Sequence, residues 1–363
     1  MTGSSNRLSG IEAFKGLACV MVVMHHLAFY GPMSDVIHVV LPGLTAWLYH
    51  YGRMAVQVFL VIAGFLAAKS LAPHGTAKFT RPAQLIFRRY YRLMPPYLVA
   101  LVVCVLTAAL VRPWFAHPSV PGAPTLWQIV AHVFLLQDLV GEEALSAGVW
   151  YIAIDLQLFG MSVLIFSFAH KVQRHWRRAP ARLGVGLVLT LAALSLLLFN
   201  HQPSLSATGL YFFGSYALGM LAYWASSAAA LKNSSTLKTT QQWVLVMALL
   251  GASALSFNFS GRIALAITVA LGLVWLQEHE SPKRWLQVPW LVQLGQMSYS
   301  VFLIHFSVCL LVNAVVTHLW PGSLVANSLG LLAAFMLSLL AGWALYRGVE
   351  SKPWAARNKL VVA

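Results

Sequence analysis

Ten stretches of this chain are apolar over enough residues to cross, or nearly cross, a hydrocarbon layer of about 30 Å. They run approximately 11–30, 54–73, 96–111, 148–169, 183–200, 208–227, 242–258, 260–278, 291–317 and 323–347. The composition agrees: 59% of the residues are hydrophobic, only 9% are charged, and the mean hydropathy is +0.74, which excludes an ordinary soluble domain. Thirteen Trp and 12 Tyr suit a chain with many membrane–water boundaries. The expected fold is therefore all-α, a polytopic membrane helix bundle of about ten transmembrane helices.

Basic residues test that count independently. With the N-terminus inside, the inner segments hold Arg7; Lys78, Arg81, Arg88, Arg89 and Arg92; Lys171, Arg174, Arg177, Arg178 and Arg182; Lys232 and Lys238; Lys283 and Arg284; and Arg347, Lys352, Arg357 and Lys359. The outer connections hold only Arg53, Arg112 and Arg262. That asymmetry is what the positive-inside rule asks of ten spans with both termini cytoplasmic, and an odd number of helices scrambles it. Because the cations fall in short loops, the net charge of +15 points to anionic lipid headgroups and anionic cofactors, not to nucleic acid. The N-terminal apolar run contains Glu12 and Lys15 and lacks a small-residue cleavage site, so it reads as a retained first helix. The chain reads as one transmembrane domain over 1–363. A short Ala/Ser-rich stretch around 225–236 reads as a loop, and the 31–53 and 112–147 connections are open to re-entrant, interfacial or eleventh-helix readings.

Ionisable side chains inside apolar spans are the first places to look for chemistry. Lys15 and His26 are eleven residues apart, about three full turns, so they share one helix face with Cys19, Val22 and Val23 and lie roughly 16 Å apart along the axis. His26 is either a hydrogen-bonded core residue or a functional imidazole; His25, about 100° away, faces elsewhere. In FRRYYRLMPPYL the guanidiniums of Arg88, Arg89 and Arg92 cluster on one side of a helical turn, as an inside lipid anchor or as a multidentate phosphate site. Pro95 and Pro96 mark a kink or the entry of the third span. Asp155 in WYIAIDLQLF is a catalytic or orienting acid, or half of a structural ion pair. His305 has Ser298 seven residues before it as a polar companion, and Glu350 reads as a clasp compensated by cations such as Arg347. Cys19, Cys104 and Cys309 give neither a disulfide framework nor metal-ligand spacing and read as packing residues.

Taken together and in order, these segments resemble the acyltransferase-3 family of multi-spanning membrane acyltransferases. Glu12-Ala13-Phe14-Lys15-Gly16-Leu17-Ala18, leading to His26, is similar to the family's opening D-G-L-R-A-L-A and the histidine that ends its apolar run. VQVFLVIAGFLAAK, FRRYYRLMPPYL, WYIAIDLQLF, LGQMSYSVFLIHF and VESKPW resemble its later motifs, so the likeness covers about residues 11–354. The departures are Lys15 for an arginine, Gln57 for an aspartate, Ala63 for a serine and Asp155 for a glutamate. Lysine keeps the charge and loses the bidentate geometry.

The resemblance implies transfer of an acyl group, often acetyl, from cytosolic acyl-coenzyme A to a hydroxyl on a cell-envelope or exported glycan or another acceptor, in a bacterial inner membrane and without a metal. It implies His26 as general base, with Asp155 orienting that base or the acceptor. Lys15, Arg88, Arg89 and Arg92 would hold the coenzyme phosphates, and Trp150, Tyr299 and His305 would line the acceptor site. Two other classes remain: a transporter or flippase, and a non-catalytic member that binds glycan.

Overall fold

The computed structural model describes residues 2–176, 178–229, 234–279 and 288–352, and every regular element among them is a helix. They are α1 (Thr2–Phe29), α2 (Pro32–His38), α3 (Pro42–Tyr51), α4 (Val56–Leu71), α5 (Pro82–Val111), α6 (Leu126–Val133), α7 (Val149–His175), α8 (Leu183–Leu197), α9 (Gly209–Ala229), α10 (Ser234–Phe257), α11 (Gly261–Glu278), α12 (Pro289–Gln296), α13 (Ser298–Leu319) and α14 (Leu324–Leu345). A single π turn, Tyr346–Glu350, ends α14. Nine spans among the described residues are long and apolar enough to cross a membrane, so the chain is an integral, multi-pass membrane protein. Of the cations expected on the inner side, Arg177, Lys232, Lys283, Arg284, Arg357 and Lys359 lie outside the described residues.

Several boundaries differ from the hydropathy windows. The second span starts at Pro42, not near 54, because α3 and α4 are joined through a 3-10 turn at Gly52–Ala55 into one 30-residue apolar run. Gly52 makes room for that passage, since a β-carbon there would come within 2.8 Å of His25 Cβ. The third span starts at Pro82, and Pro95 and Pro96 lie inside α5 instead of opening it. The two prolines remove the helical donors of the Tyr91 and Arg92 carbonyls, and the Tyr299 hydroxyl braces the same turn by donating to Leu93 O, 2.8 Å away. The Ala/Ser-rich stretch is helical over 225–229 and 234–236, where a loop was expected; residues 230–233 lie outside the described set.

The 112–147 connection turns out to be re-entrant. Phe115 packs with Val111 at one end of α5, yet the Tyr97 hydroxyl donates to His132 O (3.1 Å) and the Tyr90 hydroxyl to Val133 O (2.8 Å). Those tyrosines lie roughly 20–30 Å back down the axis of α5. The chain then climbs again, so that Cys104 Sγ donates to Leu145 O. Eight residues of α6 span only about 12 Å, too short for another crossing. Irregular backbone at membrane depth must be satisfied by protein. Thr125 and Gln128 form a reciprocal capping box, Gln128 Nε2 donates to Glu143 O (2.7 Å), and the fully buried His132 accepts Leu145 N at Nε2 (3.0 Å).

Two compact units result. One comprises Met1–Phe14, Val56–Arg89 and Ile154–Val292 and is organised around α9, which packs against α4, α8, α10 and α11. The α4–α9 crossing is a backbone contact: a β-carbon on Gly64 would overlap the Tyr216 carbonyl, and one on Gly219 would overlap the Val61 carbonyl. Small residues permit this approach where no hydrophobic force drives helices together.

The other unit comprises Lys15–Ala55, Tyr90–Ala153 and Gln293–Ala363. Here α1 and α13 run parallel in nearly constant register. Cys19 Sγ reaches Ser298 O, His26 meets His305, and Asn313 donates to Tyr30 O (2.9 Å) and accepts from Met33 N (3.2 Å). Gly31, at φ +123°, passes so close to the Asn313 amide that a β-carbon would overlap it.

Candidate active site

His26 lies in the last turn of α1, partly buried, with its ring stacked on Tyr30 (centroids 5.4 Å apart, 15° between planes). Its Nδ1 is 2.8 Å from Nε2 of His305, which is fully buried. His305 is fixed from its own helix, with Nδ1 2.8 Å from Phe302 O and 3.2 Å from Val301 O. His26 also makes a backbone hydrogen bond with Val22, one turn earlier on α1. His25 turns away, as its position on the helix requires, and its Nδ1 meets Leu48 O at 3.0 Å. The structure therefore brings His26 and His305 together. The companion expected for His305, Ser298, instead offers its carbonyl to Cys19.

At the other end of the same unit a charged group collects where α1, α5, α13 and the end of α14 meet. The Ser300 hydroxyl donates to Glu350 Oε2 at 2.6 Å, and Lys15 and Arg92 are the cations whose field falls on that carboxylate. Arg347, the compensating cation expected from sequence, instead lies over the Trp343 ring, 5.4 Å from its centroid. Ser300 was not singled out from the sequence; it stands fifty residues from Glu350, and no local pattern links them. Tyr299 spends its hydroxyl on Leu93 O, and Trp150 packs edge-on against Tyr151, which in turn meets Phe302. An open apolar groove of about 610 Å³ on this unit is lined by Tyr90, Tyr91, Met94, Pro95, Leu98, Val99, Val133 and Val349.

Arg88, Arg89 and Asp155 belong to the other unit. Asp155 takes three hydrogen bonds from Arg89: Nε to Oδ2 at 3.0 Å, Nη2 to Oδ1 at 2.6 Å and Nη2 to Oδ2 at 2.7 Å. The pair is lopsided in exposure, with Asp155 6% and Arg89 30% accessible, and the Arg89 guanidinium also lies over Phe159 at 5.0 Å. Of the two roles open to Asp155, the ion pair is the one with geometry behind it, and its hydrogen-bonded partner is a guanidinium, not an imidazole. Gln157, two residues on and so on the other side of the helix, accepts Gly209 N at 2.7 Å and ties α7 to the start of α9. Among the described residues no group of His, Cys, Asp or Glu is arranged to hold a metal ion, and the three cysteines are buried and free.

No solved structure matches the chain. A putative membrane-bound transacylase, BcsY, of Komagataeibacter xylinus is 25% identical over 388 aligned positions, covering 98% of this chain and 87% of that protein. The regulator of hypoxia-inducible factor 1 of Caenorhabditis elegans is 24% identical over 187 positions; the alignment spans 47% of this chain and only 36% of the nematode protein. A family model described as an acyltransferase domain matches residues 8–347, through both units and through every motif from Lys15 to His305. The chain belongs to the acyltransferase-3 family and is a membrane acyltransferase.

Proposed function

We propose that this protein moves an acyl group, acetyl in the simplest case, from acyl-coenzyme A at the cytosolic face to a hydroxyl on a cell-envelope or exported glycan, with His26 as the general base. The whole chain, 1–363, acts as one acyltransferase domain in a bacterial inner membrane with both termini inside. The observation that carries this reading is the state of His26: its Nδ1 is held 2.8 Å from His305 Nε2, on a ring stacked against Tyr30. A general base must offer a lone pair within hydrogen-bond reach of the proton it abstracts, on a ring that does not swing. The likeness over nearly the full length to a putative membrane-bound transacylase supports acyl transfer within the membrane.

The donor is polyanionic, and Lys15, in the middle of α1 and about 16 Å along the axis from His26, supplies fixed positive charge together with Arg92. Arg88, four residues before Arg92 on α5, extends that set; Arg89 contributes its charge while held by Asp155. Trp150 and Tyr299 act as walls rather than as hydrogen-bonding partners of the acceptor. No metal takes part in this scheme.

The test uses purified full-length protein in lipid, acetyl-coenzyme A and a cell-envelope extract as acceptor, with free thiol as readout. His26→Ala should lower turnover by about 10²-fold or more, the range of a lost general base, while the protein still inserts and purifies. Turnover unchanged in His26→Ala rejects the assignment. Absence of acceptor-dependent thiol release from the parent protein rejects the enzyme reading in favour of transport or glycan binding.

A further inference from the structure

We infer that His305 is a positioning residue that places the single ring proton of His26 on Nδ1 and so leaves Nε2 bare toward the acceptor. This rests on the reading of His26 as base and assigns His305 a role different from lining the acceptor site.

The argument is one of donors and acceptors. His305 Nδ1 lies within hydrogen-bond distance of two carbonyls, Phe302 O and Val301 O, and a carbonyl oxygen can only accept. That nitrogen therefore carries the proton. A neutral imidazole has one N–H, so His305 Nε2 presents only a lone pair. It sits 2.8 Å from His26 Nδ1, a distance that needs one proton between the two nitrogens, and His26 Nδ1 must supply it. His26 is then left with a bare Nε2. Two α13 carbonyls thus bias the tautomer of a ring on α1 through the His305 ring between them, in addition to the backbone hydrogen bond that His26 makes with Val22 on its own helix.

The helix pairing makes the relay rigid. Parallel α1 and α13 are locked on either side of the histidines, by Cys19 against Ser298 O and by Asn313 against Tyr30 O and Met33 N. Tyr30 stacked on His26 and Phe306 packed edge-on against Tyr30 restrict rotation of the His26 ring.

The arrangement also favours the transition state over the ground state. As the acceptor oxygen attacks the thioester carbonyl, its proton passes to His26 Nε2. The new ester C–O bond forms, the C–S bond breaks, and the proton leaves His26 for the coenzyme thiolate. While His26 carries both protons, the hydrogen bond from its Nδ1 to His305 Nε2 becomes charge-assisted and stronger than in the resting site.

The test combines a direct view of the protons with kinetics. Full-length protein labelled with ¹⁵N-histidine, in lipid bilayers, gives separate signals for ring nitrogens that carry a proton and those that do not; His26→Ala identifies the His26 pair. The expected wild-type result is a protonated Nδ1 and a bare Nε2. In His305→Leu the His26 signals should shift toward a mixture of tautomers. Thiol release from acetyl-coenzyme A with envelope extract should then fall in kcat by about 10- to 100-fold, short of the loss of the whole base, with donor KM unchanged. His305→Gln keeps an acceptor atom near the position of Nε2 and should restore both readouts to within about threefold of wild type, which separates positioning from packing. A proton on His26 Nε2 in the wild type, as an imidazolium at His305 would impose, overturns the inference. So does a His26 tautomer indifferent to His305→Leu. Full turnover in His26→Ala overturns the base reading instead, and the spectra still decide the tautomer.

Discussion

Arg89 and Arg92 stand three positions apart, yet they serve different partners, because such positions on a helix differ by about 60° around its axis and 4.5 Å along it. That offset is enough to aim Arg89 at Asp155 and to leave Arg92 facing Glu350. The shared face of Lys15 and His26 was legible from periodicity alone, since both lie on one continuous helix. The pairing of His26 with His305 was not, because 279 residues intervene and only the parallel packing of α1 and α13 brings them together. The split among the arginines predicts two kinds of defect. Lys15→Gln and Arg92→Gln should raise the KM for acetyl-coenzyme A about tenfold with kcat nearly unchanged, the signature of lost uniform binding. Asp155→Asn should instead lower thermal stability by about 1.5–3 kcal/mol, the usual scale of a hydrogen bond to a charged group. Combining it with Arg89→Gln should recover part of that loss, because the double variant leaves no unpaired charge behind. An Arg92→Gln enzyme with unaltered KM removes that cation from the donor site.

At the level of elements, the hydropathy windows found the helices and missed their ends, for a physical reason. Hydropathy marks where the chain meets hydrocarbon, whereas a helix continues for as long as its backbone hydrogen bonds do. So α5 extends beyond the apolar layer through its basic segment back to Pro82, and α3 prolongs the second span back to Pro42. The re-entrant path of 112–147 was illegible because its evidence is a set of tertiary hydrogen bonds from Tyr90, Tyr97 and Cys104 to carbonyls. The α4–α9 crossing gives the sharpest prediction at this scale. Gly64 and Gly219 each face a carbonyl three residues before the other, Val61 for Gly219 and Tyr216 for Gly64, so any β-carbon must push two backbones apart. Gly64→Val is expected to cost about 3 kcal/mol or more, the upper end for overpacking, read as lost folded protein in detergent. Gly43→Val, where a β-carbon would meet nothing, is the control and should be silent. Equal stability of the two variants would mean that α4 and α9 do not cross through these glycines.

For the whole molecule, the direction of α1 relative to α13 fixes a parity. Two parallel spans begin on the same side of the membrane only if an even number of crossings lies between their starts. The spans α1, α3–α4, α5, α7, α8, α10 and α11 make seven, so among the described residues α9 must be the eighth. It fails a simple hydropathy criterion because Tyr, Gly and Ser dilute it, but its 21 residues extend about 31 Å, the thickness of the hydrocarbon core. With α9 counted there are ten crossings among the described residues, which matches the charge asymmetry of the loops. The consequence can be measured with an impermeant thiol reagent on intact cells, since the native cysteines are buried. Single cysteines at the exposed positions Ser204 and Lys238, which flank α9, should differ: Ser204→Cys labels from outside and Lys238→Cys only after the cells are opened. Ala181→Cys, in the basic connection before α8, should behave like Lys238→Cys. If Ser204→Cys and Lys238→Cys label from the same side, α9 does not cross, α1 and α13 cannot both start inside, and the proposed placement of Lys15, Arg92 and Glu350 at the cytosolic face is lost with them.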